Sequence, residues 1–244
     1  MRKYSQLLLA ALLLMVVATP TLAFKLTPIE AEFGPGRLSV QTFKVENSGT
    51  LPVAVELSMH SRGMSITGED ILVPTPDAFE VFPDQIVLQP GKTQSVRVQW
   101  SGSSVPANEI AYRLMAEQLP IDMGTEGANR SGLRLLVKYL AALYVRPAAP
   151  EARLSATITS ENRKGQKVAV VIVNNAGNAH AVLQASMVEV SVGGKAVTYS
   201  PQQREAVHGK NVLAGVQREL VLPWSAGLDS GALTVMLKQP IDAE

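Results

Sequence analysis

Three histidines, His60, His180 and His208, are the side chains of this 244-residue chain best suited to proton transfer near neutral pH. They are isolated in sequence, and no H-E-x-x-H or H-x-H spacing surrounds any of them. His180 follows the turn-rich stretch "NNAGN" and reads as a surface position. Cysteine is absent, which excludes a thiolate nucleophile, thiolate metal ligands and a disulfide framework. No G-x-S-x-G elbow, phosphate loop or dinucleotide fingerprint occurs. Carboxylates are plentiful, but a glycosidase pair is defined by separation in space, which spacing in sequence does not reveal. Distant residues could still converge on a catalytic site. The expectation is a protein that is not an enzyme and has no cofactor and no metal.

The pattern that stands out is one for binding. In "SGLRLLVKYLAALYVRP", Ser131 to Pro147, the large apolar residues Leu133, Leu135, Val137 and Tyr139 alternate along one face, whereas Arg134, Leu136, Lys138 and Leu140 make a mixed face. Thirteen residues of strand would run roughly 43 Å, well beyond the usual strand length. A strand of that length at a sheet edge offers unpaired backbone groups and a row of side chains, which invites strand addition. The same four side chains would equally fill the core of their own domain.

The elements that must carry this strand are legible from composition and periodicity. Residues 1–23 read as a cleavable secretory signal, with Arg2 and Lys3, an apolar run from Leu7 to Val17, and small residues at Thr21 and Ala23. The run is short for a bilayer span, and no later segment is long and apolar enough for one, so stable membrane insertion is not expected. Without Arg2 and Lys3 the balance is 20 basic against 21 acidic residues, net −1, which leaves no electrostatic footprint for nucleic acid. After the signal, period-two alternation recurs in short runs separated by Gly, Pro, Asn and Asp: Phe43 and Val45; Val53, Val55 and Leu57; Val96, Val98 and Trp100. This is the pattern of an all-β sandwich. Pro147 and Pro150 in "VRPAAPEA" mark a boundary between two β domains, 24–146 and 150–244.

An internal echo supports two sandwiches of related topology. "VENSG" (Val45 to Gly49) shares V-x-N-x-G with "VNNAG" (Val173 to Gly177), and "GKTQSVRVQW" (Gly91 to Trp100) shares G-x4-[VL]-x-[VL]-x-W with "GVQRELVLPW" (Gly215 to Trp224). The offsets are 128 and 124 residues, in the same order, and the chain's two tryptophans fall in matched places. Asn-x-Gly is expected to supply left-handed turns, Gly91 and Gly215 to do the same before a strand, and each Trp to fill an inter-sheet core.

Taken in order, several stretches resemble the periplasmic pilus (fimbrial) assembly chaperones, the PapD-like family. "FPDQIVLQPGKTQSVRV" (Phe82 to Val98) resembles that family's proline-containing strand followed by L-x-P-G-x-x-Q-x-[VL]-R. "YRLMAEQLP" (Tyr112 to Pro120) resembles its Y-R-[apolar]-x-x-E-x-[apolar]-P strand, and "ALYVRP" (Ala142 to Pro147) its exit into the second domain. The resemblance implies two Ig-like β-sandwich domains set at an angle and a chaperone that captures pilus subunits by donor-strand complementation and delivers them to an outer-membrane usher from the periplasm. It places the donor positions on Leu133, Leu135 and Val137, with Tyr139 continuing the face.

Two positions depart from the pattern. The Arg and Lys with which the family's best-studied branch anchors a subunit's terminal carboxylate are replaced by Glu30 and Ala142. The chain therefore resembles a divergent, non-standard or archaic chaperone–usher branch, and Lys138, beside Tyr139, becomes the first substitute anchor, with Arg113 on the preceding strand second. The segment "IDMGTEGANRS" (Ile121 to Ser131) should be a loop when no subunit is bound. A two-domain Ig-like fibre or adhesion component is the alternative reading, although "FKLTPIEAEFG" (Phe24 to Gly34) is short and punctuated for a donor extension. Self-association of the free chaperone to cover its edge stays open.

Overall fold

The computed structural model describes residues 24–34, 39–120, 136–224, 228 and 231–237. Alternation becomes strand wherever one face can be buried. In the first domain the described strands are β1 (Lys25–Thr27), β2 (Glu30–Phe33), β3 (Val40–Glu46), β4 (Val53–Met64), β5 (Asp70–Pro74), β6 (Phe79–Phe82), β7 (Gln85–Leu88), β8 (Thr93–Trp100), β9 (Ile110–Gln118) and β10 (Lys138–Val145). One sheet runs β1-β3-β8-β6, the other β2-β10-β9-β4-β5 with β7 also on β4. The chain changes sheets between β1 and β2, so its first strands close both layers. The pairing of β2 with β10 is parallel; the other described pairs of this domain are antiparallel.

Between the two sheets lie the alternating residues marked in the sequence: Phe43, Val45, Val53, Val55, Leu57, Val96, Val98 and Trp100 are all buried. Phe33, Phe79 and Tyr112 extend that core as a chain of edge-to-face rings with centroids 5.0 Å apart. Each large side chain so removed from water stabilises the fold by roughly 1.5–3 kcal/mol before ordering costs.

The second domain holds β11 (Leu154–Arg163), β12 (Gln166–Asn175), β13 (Ala181–Leu183), β14 (Val188–Val192), β15 (Lys195–Ala196), a short helix α1 (Pro201–Arg204), β16 (Lys210–Val212), β17 (Gln217–Pro223) and β18 (Leu233–Leu237). Its sheets run β11-β12-β17 and β15-β14-β18, with β13 and β16 forming a separate pair. Val171, Val173, Leu183, Val190, Leu220 and Leu222 are buried between them.

The internal echo corresponds to a repeated hydrogen-bond device, with a different mechanism from the left-handed Asn-x-Gly turn expected. Neither Gly49 nor Gly177 has positive φ. Instead the asparagine side chain closes the turn. Asn47 Oδ1 accepts from the Gly49 N–H at 2.9 Å, and its Nδ2 donates to the carbonyls of Leu51 and Leu88. Asn175 repeats this with the Gly177 N–H and the carbonyls of Ala179 and Val212. Both side chains belong to residues wholly removed from solvent; all three of the Asn175 bonds are buried, as is the Asn47 bond to Leu88, while its bonds to Gly49 and Leu51 are partly buried. Gly91 and Gly215 do adopt the left-handed conformation, at φ 70° and 69°, and their N–H groups donate to the carbonyls of Asn47 and Asn175. The tryptophans diverge: Trp100 is in the core, while Trp224 is half-buried with the Lys167 ammonium 3.9 Å above its ring.

Asn47→Ala should therefore destabilise the first domain by about 2 kcal/mol, because the buried Leu88 carbonyl and the partly buried Gly49 N–H and Leu51 carbonyl lose their partner. Asn47→Asp should not rescue it, since a carboxylate cannot donate to Leu51 and Leu88. Urea unfolding monitored by circular dichroism measures both; a loss below about 1 kcal/mol for the alanine variant would contradict the assignment.

Candidate functional site

Strand β10 serves two neighbours over different parts of its length. Along one side it pairs with β9 from Lys138↔Glu117 to Val145↔Ile110. Along the other, β2 covers only Ala142 to Val145, and the Ala142 N–H donates to the Ile29 carbonyl at 2.8 Å. From Lys138 to Ala141 that second edge has no strand partner among the described residues.

The side chains sort by parity. Val137 and Tyr139 lie half-buried against the first-domain core; the Tyr139 hydroxyl donates to the Phe24 carbonyl at 3.0 Å, and its ring packs edge-on to Phe24. Leu136 and Leu140, on the opposite face, are 46% and 38% exposed. Leu133 and Leu135, and the loop expected from Ile121 to Ser131, lie outside the described residues. Lys138 forms an ion pair with its register partner Glu117, at 3.1 Å and about half exposed on both sides. An exposed pair of this kind contributes at most about 1 kcal/mol.

A cleft begins where β2 takes over. Glu30, Ala142, Arg113 and His60 are successive register partners across β2, β10, β9 and β4. The two positions at which the sequence lacks the expected basic pair are thus adjacent, and the next residue in the row is an arginine. Asp70 at the start of β5 holds two guanidiniums side-on: Arg62 Nε donates to its Oδ1 at 2.7 Å and Arg113 Nε to its Oδ2 at 2.8 Å. Burial alone would raise the Asp70 pKa, but the hydrogen bonds from Arg113 and Arg62, together with their charges, hold it below the ordinary 3.8. Because the folded value is depressed, the stabilisation from this triad is present above pH ~4 and is lost only as pH falls further. Arg62 also donates to the Tyr144 hydroxyl at 3.0 Å, and Arg113 to the Leu140 carbonyl at 3.3 Å.

The opposite wall comes from the second domain. Asn211 Nδ2 donates to the Tyr144 hydroxyl at 2.7 Å, and Lys210 and Arg218 line the same cavity, about 700 Å³ in volume. Arg62, Arg113, Lys210 and Arg218 face Glu30, Glu69 and Asp70 there, a net formal charge of +1. The arrangement suits one added anion.

Behind the cleft a buried joint sets the two walls. Glu109, whose side chain is 1% exposed, accepts from the His180 ring at 2.7 Å and the His180 backbone N–H at 3.1 Å through Oε1, and from Arg146 at 3.0 Å through Oε2. Tyr144 stacks on the His180 ring with centroids 3.9 Å apart. His180 is therefore an interdomain residue, and the surface position expected for it is corrected: the turn after "NNAGN" faces the other domain. Nothing in the sequence links residues 109 and 180, which are separated by 71 positions. Arg62, Asp70 and Arg218 were likewise unmarked, since only folding brings their three strands together.

Among the described residues no group of His, Asp and Glu is placed to hold a metal ion, and no helix is long and apolar enough to cross a membrane. No curated protein matches the chain by sequence. Solved structures of similar fold include the class 5 fimbriae chaperone CfaA, at 18% identity and TM-score 0.53, covering 89% of this chain and 100% of that one. A chain of the CsuC–CsuE chaperone–tip adhesion subunit pre-assembly complex, from archaic chaperone-usher Csu pili of Acinetobacter baumannii, matches at 15% identity and TM-score 0.58, covering 90% and 100%. The Salmonella enterica SafA pilin complex with the SafB chaperone matches at 17% and 0.53, covering 91% and 99%. Residues 35–151 match the family model described as pili and flagellar-assembly chaperone, PapD N-terminal domain. The first domain is therefore identified as the PapD N-terminal domain of the pili and flagellar-assembly chaperones, and the two-domain β structure matches that of PapD-like chaperones.

Proposed function

We propose that this chain is a non-catalytic periplasmic chaperone that captures pilus subunits by donor-strand complementation and hands them to an outer-membrane usher. The observation that carries the reading is the half-open edge of β10. From Lys138 to Ala141 its backbone is paired on the β9 side alone among the described residues, so a guest sandwich lacking a strand can complete itself there. Leu133 and Leu135 share parity with Val137 and Tyr139, so a continuing strand lays all four along one face. The Val137 and Tyr139 end of that face supports the chaperone's own core, and the Leu133 and Leu135 end is offered to the guest. Export by removal of residues 1–23 and a division into domains 24–146 and 150–244 belong to the same reading.

For the guest's terminal carboxylate, the geometry favours Arg113 over Lys138. Arg113 is in register with Ala142 and Glu30 and lines the cleft. Lys138 is four residues up the strand, paired with Glu117 at the surface. Glu30 itself repels a carboxylate, which leaves Arg113 as the cation nearest the position that lacks one.

Leu135→Glu should leave the melting temperature nearly unchanged and abolish co-purification with a subunit, because a charge entering an apolar groove is costly. Val137→Glu should lose the subunit and also lower the melting temperature, since Val137 packs on the domain's own core. Retained binding by Leu135→Glu would overturn the donor-strand assignment.

Arg113→Gln should weaken a strand-forming peptide with a free C-terminus by roughly ten- to a hundredfold, whereas Lys138→Ala should change it by less than about fivefold. Amidating the peptide should cost wild type at least as much as Arg113→Gln does. Isothermal titration of the acid and amide forms makes the comparison, and equal wild-type affinity for both would remove the carboxylate clamp from the mechanism.

A further inference from the structure

Arg218, on β17 of the second domain, is a cation without a matching anion. Its Nε is buried and has no hydrogen-bond partner, and among the described residues no carboxylate lies within ion-pair distance of it. One terminal nitrogen donates to the Asn211 carbonyl. Burial first, and then the charge of Arg62, lower its pKa, with Asp70 opposing. A half-buried guanidinium with one N–H closed off from water and no acid beside it is costly to maintain unless a ligand supplies the missing charge.

Its position is fixed by the other domain. Gly68, in the turn between β4 and β5, has φ 85°, and a Cβ at this residue would overlap the Arg218 guanidinium. The adjacent backbone is bonded across the domains, with the Glu219 N–H donating to the Ile66 carbonyl at 2.6 Å. The turn that seats Arg218 leads directly into Asp70, which positions Arg62 and Arg113. Asp70 occupies only the Nε atoms of those two arginines, so their outer N–H groups are not consumed by it.

We propose that Arg218 is the second-domain arm of the anion site, so that the terminal carboxylate of a captured chain bridges Arg113 of the first domain and Arg218 of the second. The inference rests on the carboxylate reading above and adds a consequence to it. The site is complete only when the β4–β5 turn and β17 are in contact, so carboxylate capture and the interdomain arrangement stabilise each other to the same extent.

The test uses full-length wild type, Arg218→Gln, Arg218→Lys and Arg113→Gln, each checked by a cooperative melting transition to be folded at the assay temperature. The probe is a ten-residue peptide of alternating Val and Thr, made as free acid and as amide. Wild type is expected to prefer the acid by about ten- to a hundredfold. Arg218→Gln should reduce that acid-to-amide ratio at least fivefold while leaving amide affinity unchanged, and Arg218→Lys should restore part of the ratio. A general structural defect would weaken both peptides equally and leave the ratio intact. If Arg113→Gln collapses the ratio and Arg218→Gln does not, the clamp stands and the second-domain arm is overturned. If wild type itself shows no preference, or binds neither peptide, the carboxylate reading fails first and the arm falls with it.

Discussion

Glu109 is a carboxylate almost wholly removed from water, and the cleft exists because that burial is compensated. It accepts from His180 of the second domain and from Arg146 at the end of β10, so three segments must converge before the charge is satisfied. A buried carboxylate lacking these donors would be strongly destabilising. The joint therefore favours one arrangement of the two sandwiches over others that would bury similar apolar area, and Tyr144 stacked on His180 occupies its apolar side. The same Tyr144 presents its hydroxyl to Arg62 and Asn211 in the cleft. One aromatic residue thus links the joint behind the cleft to the charges inside it.

The second constraint is that β10 has to be covered and uncovered in the same strand. β2 is only four residues long and pairs with the C-terminal half of β10. Had β2 continued, the edge would have been sealed; had it been absent, Tyr144 and Leu143 would have lost their neighbours. The change of sheets between β1 and β2 supplies this limited cover, because residues spent on β3 in the other layer are unavailable to β10.

What was readable in the sequence follows from how local the cause was. The core of the first domain was marked by alternation, because burial of every second residue depends on strand geometry alone. The repeat of Asn47 and Asn175 was visible as a motif, but its mechanism was not: whether an asparagine shapes a turn by backbone or by side chain depends on which carbonyls are opposite, and Leu88 and Val212 come from other strands. Trp100 and Trp224 had matching contexts and different burial, since packing of a second-domain edge residue is decided by neighbours such as Lys167. The charged cleft was least legible. Arg62, Asp70, Arg113 and Arg218 belong to four strands and two domains, with no spacing rule connecting them, and Arg113 was singled out only because a family pattern had a gap beside it.

The short parallel contact between β2 and β10 also acts as a ruler. A strand advances about 3.3 Å per residue, so a strand continuing on the proposed reading from Ala142, where β2 begins its cover, back to Leu133 would span roughly 30 Å. On the proposed reading, an arriving chain whose end is stopped beside Ala142 has its position along β10 set by that stop. A displacement of one residue would turn every apolar side chain of the intruding strand to the wrong face. On that reading the abrupt limit of a four-residue strand becomes a measure of length, and a chain too short to reach from the stop to the apolar row, or out of phase with it, would be rejected without any contact specific to its sequence.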